Sequence, residues 1–171
     1  MLGFLDWFRP RWAVFTLLVS GALLAGAHAF ENLGGLLPCA LCLAQRERHW
    51  LIVGLAAAAL IGGIFLKSER YQRIVAIVLG LALAWSVYEA AHHVAVEQRW
   101  VVATCHAEVD IDAIAPLDDF EGVVEEPACD EIAWTLFGIS MAGYNSIISL
   151  VMMLASFAIG LAPRWKQREA A

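Results

Sequence analysis

The chain has 171 residues, 61% of them hydrophobic and 16% charged, with a mean hydropathy of +0.68. Globular averages run to about 25% charged residues, so the composition excludes an ordinary soluble domain, and nothing in it resembles a nucleic-acid surface. The formal net charge of −6 hides a segregation: of eleven Lys and Arg, eight lie in three short clusters (Arg9 and Arg11; Lys67, Arg70 and Arg73; Arg164, Lys166 and Arg168), while His106 to Glu131 holds ten Asp or Glu and neither Lys nor Arg.

The first apolar run covers about residues 12–30, with Trp7 and Trp12 at its basic end as interface anchors. Ala27-His28-Ala29 offers an A-x-A site of the kind that ends a secretory signal. The run is long for a signal, however, and further apolar runs follow, so it is read as a membrane span. A short turn leads to Leu37-Pro38-Cys39-Ala40-Leu41-Cys42-Leu43-Ala44-Gln45-Arg46. Pro38 suits the opening of a helix, where its missing N–H is an orphan in any case. Cys39 and Cys42 then fall near the first turn, where the helix dipole favours thiolate. Arg46 follows Cys42 by four residues on the same face, and a fixed guanidinium at the edge of an apolar segment needs a partner.

The second run covers about 50–66 and is rich in Gly and Ala, which let helices approach closely in lipid. A basic turn, Lys67 to Arg70, leads to the third run at about 74–91; a long polar loop and then a fourth run at about 143–162 precede the basic tail. Each run approaches the roughly 20 helical residues that cross a bilayer. The expected architecture is therefore an all-α membrane protein, a single four-transmembrane-helix bundle with two extracytoplasmic cysteine-bearing loops at about 31–49 and 97–140. Parity puts both termini and the middle turn on one face, and the basic clusters mark that face as cytoplasmic. Arg46, Arg48 and Arg99 fall on the other side, three against eight. Within the long loop, Ile132, Trp134, Leu136 and Phe137 suggest a short amphipathic piece on the membrane surface.

All four cysteines lie on the extracytoplasmic face: Cys39 and Cys42 in the first connection, Cys105 and Cys129 in the third. Disulfides persist in such a compartment. Three readings compete. Two structural staples are one, although a bridge across three residues closes almost no chain and stabilises little. A zinc site with four thiolates is another, but it prefers a second close pair, and Cys105 and Cys129 are far apart in sequence; no metal centre is expected. A relay of two redox-active pairs is the third, and it accounts for one pair lying near lipid and the other on a polar loop.

With these residues in view, the chain resembles the bacterial disulfide bond formation protein B (DsbB) family. The resemblance spans the whole length: four spans, Pro38-Cys39-Ala40-Leu41-Cys42 with Arg46, the Cys105/Cys129 pair, and smaller echoes at Ala103-Thr104-Cys105, Pro116-Leu117-Asp118 and Trp134 ahead of Phe137-Gly138. It implies a membrane thiol oxidase of the bacterial inner membrane. Such an enzyme reoxidises a periplasmic thioredoxin-like oxidase of the DsbA type and passes two electrons to a membrane quinone, ubiquinone or menaquinone. By position, Cys105 would be attacked by the partner's thiolate, Cys129 would exchange with Cys39, and the freed Cys42 thiolate would face the quinone. Arg46 would hold that thiolate and a quinone oxygen, and His92 occupies about the place of a family histidine near the end of the third span, with His93 beside it. Ala44 departs from the aromatic common two positions after the second cysteine, and the acidic loop also differs from the usual one. The vitamin K epoxide reductase family likewise combines a four-helix bundle with Cys-x-x-Cys, but its loop cysteines precede that motif, whereas here they follow. A structural tetraspanning protein is the reading from a different class; redox-active pairs should open with mild reductant and be reoxidised by quinone, whereas staples stay closed.

Overall fold

The computed structural model describes residues 7–102 and 127–162. Four long helices carry the fold: α1 (Trp12–Asn32), α2 (Ala40–Phe65), α3 (Glu69–Glu97) and α4 (Met141–Leu161). All four are long and apolar enough to cross a membrane. The protein is a four-transmembrane-helix bundle.

Each of the last three helices begins on a side-chain cap. Cys39 Sγ accepts from the Cys42 amide at 3.3 Å, Ser68 Oγ from the Tyr71 amide at 3.2 Å, and Ser140 Oγ from the Gly143 amide at 3.0 Å. These bonds satisfy amides that have no partner within the helix. Pro38 thus sits one residue before the cap, with Cys39 at the cap itself and Ala40 as the first helical residue. The second helix therefore begins about ten residues before the apolar run does. The sequence there (Gln45, Arg46, Glu47, Arg48, His49) is polar but contains no helix breaker.

Buried positions repeat at helical spacing. On α3 they are Ala76, Leu79, Gly80, Leu83, Ser86, Ala90, His93 and Val96; on α4 they are Ala142, Ser149, Met152, Ser156, Ile159 and Gly160. Small residues on both helices allow close packing, the route to helix association where lipid offers no hydrophobic drive. A Cβ on Gly160 would lie 2.7 Å from Ile77 Cγ1 and 3.3 Å from the Arg73 carbonyl oxygen. Trp12 Nε1 donates to Ser156 Oγ at 2.8 Å, tying α1 to α4 at depth. The α1–α2, α2–α3 and α3–α4 pairs pack along their lengths, whereas α1 and α4 scarcely touch.

The two ends of the bundle differ chemically. At one, the buried Arg9 pairs with Glu69 at 2.9 Å and donates to the Ala162 carbonyl at 2.9 Å, and Arg73 donates to the same carbonyl at 2.6 Å. These cations close the C-terminus of α4, where a helix favours positive charge. At the other end, Thr135–Leu136 (β1) pairs antiparallel with Ile139–Ser140 (β2). Phe137 (φ 51°) and Gly138 (φ 78°) make the turn, the two left-handed residues of a two-residue hairpin. The segment read as an amphipathic piece is thus a hairpin from Thr135 onward. Trp134 lies between Phe30 of α1 and Tyr144 of α4 in tilted ring contacts, with ring centroids 5.0 and 6.3 Å away.

Candidate functional site

At the hairpin end the four helices diverge around a cavity of about 370 Å³. Its walls come from Leu23 to Phe30 of α1, Cys39 to His49 of α2, His93 and Glu97 of α3, and Met141 to Ile148 of α4.

Cys39 and Cys42 are free thiols with sulfurs 2.7 Å apart, the first buried and the second half-buried. The hydrogen bond from Cys42 holds the Cys39 thiol well below the ordinary thiol range. Burial opposes this, and His93, with Nε2 3.7 Å from the Cys39 sulfur, adds to the lowering. The capping position is favourable in its own right, since the α2 amides and dipole point at the sulfur.

Cys129 is disulfide-bonded and fully buried, in one cluster with Cys39 and Val96 against which Leu41 and Cys42 pack. The structure therefore brings three of the four expected cysteines to one place. Cys105 lies outside the described residues, as do the acidic stretch around it and the basic tail.

Arg46 lines the same cavity. Its guanidinium forms a short ion pair with Glu31 and donates to the Ala27 carbonyl at 3.1 Å, so its partners lie at the end of α1. Glu31 was not singled out from sequence; the need for a counter-charge was the only signal, and it did not say where.

His93, not His92, faces the cavity. His92 is half-buried and stacks on Tyr88 with centroids 6.4 Å apart. Successive residues on a helix point about 100° apart, so only one of two adjacent histidines can face the cysteines. The buried stripe through Ser86 and Ala90 continues to His93. His93 Nε2 also lies 3.9 Å from Glu97 Oε1, one turn along α3, and Glu97 accepts a short hydrogen bond from Ser140, the α4 cap.

A second polar layer lies behind His93. Gln45, His49, Ser86, Asn145 and Ser149 form one hydrogen-bonded group joining α2, α3 and α4. Sequence reasoning passed over it. The available signal was spacing: Cys42, Gln45, Arg46 and His49 fall at i, i+3, i+4 and i+7, the periodicity of one helix face. Polar side chains inside a membrane bundle are costly and mark functional positions.

Residues 9–159 match the family profile of the disulfide bond formation protein DsbB. The chain is 28% identical to disulfide bond formation protein B 2 of Pseudomonas aeruginosa over 160 residues, covering 90% of each chain. It is 29% identical to disulfide bond formation protein B of Aromatoleum aromaticum over 156 residues, covering 85% of this chain and 87% of the relative. The corresponding protein of Shewanella loihica is 25% identical over 150 residues, 86% of this chain and 85% of the relative. No solved structure matches the chain. A paired-cysteine site at one end of a four-span bundle and a profile match over most of the chain agree: the protein is a multi-pass membrane member of the DsbB family, an oxidoreductase family that generates disulfides.

Proposed function

We propose that the protein reoxidises a periplasmic thioredoxin-like oxidase of the DsbA type and delivers the electrons to a membrane quinone, ubiquinone or menaquinone. The observation that carries this is the burial of Cys129, a disulfide cysteine, in one cluster with Cys39 at the wall of a mainly apolar cavity. Staples alone give no reason for a second, free pair beside it.

Disulfide exchange needs a thiolate attacker and a stable leaving thiolate. The partner's thiolate attacks Cys105, forming a mixed disulfide and releasing Cys129. The Cys129 thiolate then attacks Cys39 of the closed Cys39–Cys42 pair, and Cys42 leaves as thiolate. Its charge is stabilised by Arg46, four residues on along α2. The partner's second thiolate resolves the mixed disulfide. The Cys105 thiolate so freed displaces Cys39 from Cys129 and restores the loop disulfide. The Cys39–Cys42 dithiol left behind gives up two electrons and two protons to the quinone. The residues fit such a group: the cavity is within the range of small-molecule sites, its walls are mainly apolar, and Arg46 supplies a fixed donor for a carbonyl oxygen. When bound, the quinone supplies an electron sink. Each 30 mV by which a disulfide is more reducing than its partner costs about 1.4 kcal/mol, so exchange among thiols alone stalls against a strongly oxidising partner.

The Lys and Arg clusters support a bacterial inner-membrane setting with both termini cytoplasmic and the cysteines periplasmic. Purified protein given the reduced thioredoxin-like oxidase and a short-chain quinone is expected to bleach the quinone chromophore in step with partner oxidation. Partner oxidation without quinone loss, or neither, would overturn the reading.

A further inference from the structure

The polar layer behind His93 is directional, and its direction can be followed atom by atom. Asn145 Oδ1 accepts from Ser149 Oγ at 3.1 Å and lies 2.7 Å from His49 Nε2. An amide oxygen cannot donate, so His49 Nε2 carries a proton. The Asn145 amide nitrogen donates to Gln45 Oε1 at 2.6 Å. That leaves Gln45 Nε2, a donor only, 2.6 Å from His93 Nδ1. His93 Nδ1 must accept, so in the neutral ring the proton sits on Nε2, the nitrogen 3.7 Å from the Cys39 sulfur.

We infer that Gln45 and Asn145 are positioning residues that hold His93 as its Nε2–H tautomer, aimed at Cys39, through a chain of amides crossing α2, α3 and α4. The inference deepens the redox reading above and rests on it for its purpose: a donor aimed at Cys39 stabilises the thiolate and does not compete for its proton. Turning both amides over would set Gln45 Oε1 against Nδ1 and hand His93 the opposite tautomer, with a bare Nε2 facing the sulfur. It would also make His49 Nε2 accept from Asn145 and move that ring's proton to Nδ1, which is buried without a partner. A buried unpaired N–H is the costlier state, so the first arrangement is selected. The same tautomer withdraws the Nε2 lone pair from any cation, although Cys39, Cys42 and His93 bring three ligand atoms within 4.8 Å of one another.

Among the described residues, the other charged or titratable groups around Cys39 and His93 are Cys42, Arg46 and His49 from α2, Glu31 from α1, Glu97 from α3, Tyr144 from α4 and Glu131 ahead of the hairpin. All are retained in the variants below. The test uses the full-length reduced protein in detergent, with isotope-labelled histidine and nitrogen NMR shifts. The His93 signal, identified by its loss in His93→Phe, is expected to show Nε2 protonated and Nδ1 bare. In Asn145→Leu the Gln45 amide is free to turn, and the signal should move to a mixture of tautomers. Thiolate-dependent alkylation of Cys39, followed by mass spectrometry at the parent's midpoint pH, should fall about twofold, the cost of selecting the Nε2–H ring from an even mixture. Gln45→Leu should behave alike, and the double variant should add nothing further. In Gln45→Glu the carboxylate accepts from Nδ1–H, both ring nitrogens are protonated, and the midpoint should not rise. A parent His93 protonated on Nδ1 would overturn the inference. So would an unchanged tautomer and alkylation rate in Gln45→Leu, which keeps the test decisive if Asn145→Leu does not accumulate. Neither readout depends on quinone turnover, so failure of the redox reading and failure of this one are distinguishable.

Discussion

At the scale of single residues the site depends on where charge is held. Cys39 receives a hydrogen bond from Cys42, the capping amide of α2 and the neighbouring His93 nitrogen, and its thiol is lowered as a result. A lowered thiol is thiolate above its folded value and loses that charge only when pH falls through it. The reduced protein should therefore keep its ultraviolet thiolate absorbance at pH values well below the ordinary thiol range of about 8.5. In His93→Ala the loss of absorbance should move to higher pH, because one stabilising partner of the thiolate is gone. Arg46 presents a planar fork to Glu31 and Ala27 while lining the cavity. Lys keeps the charge and loses the fork. Arg46→Lys should accumulate in the membrane yet show an apparent quinone affinity about tenfold weaker, the scale of one hydrogen bond to a charged group. Unchanged quinone kinetics would reduce Arg46 to a tie between α1 and α2.

At the scale of elements, the α3–α4 pair carries the most extensive packing, whereas α1 meets α4 only sparsely. The densely packed pair supplies His93, Glu97 and Asn145 to one wall of the cavity. Its weak point is steric. A side chain at Gly160 would enter the space of Ile77 Cγ1 and the Arg73 carbonyl, and overpacking of this kind costs about 1–3 kcal/mol. Gly160→Val should lower the thermal midpoint of the detergent-purified protein while leaving Cys39 alkylation unchanged, since Gly160 lies at the opposite end of α4 from the site. A lost thiolate with unchanged stability would mean that the two ends are coupled.

At the scale of the whole molecule, one end holds basic clamps and the other holds cysteines. A probe cysteine at Ser68, between α2 and α3, should react only after the cytoplasmic face is opened; labelling in intact cells from outside would reverse the topology. The relay predicts distinct trapping patterns. Cys129→Ala leaves Cys105 without a resolving partner, so a mixed disulfide with the soluble oxidase should build up on non-reducing gels. Cys39→Ala leaves the loop pair able to accept one round of electrons and unable to pass them on. Quinone reduction should stop in both. Full turnover in Cys105→Ala would make the loop pair structural and leave the first pair to do all the chemistry.

Much of this was legible in the chain itself. Long apolar runs, basic clusters and cysteine spacing are local properties, and the physics of a bilayer turns them into four spans with few alternatives. Pro38, the two cysteines of α2 and Arg46 could be read together because one helix turn brings them together. What could not be read is how helices rotate about their own axes. His92 and His93 are equal as sequence, and only the packing of α3 against α4 decides which of them meets Cys39. Glu31, Gln45, His49 and Asn145 likewise gain meaning only when α1, α2 and α4 converge. Their partners lie between 15 and 100 residues away. Hydrogen-bond direction across such distances depends on the relative rotation of whole helices, which local composition does not encode.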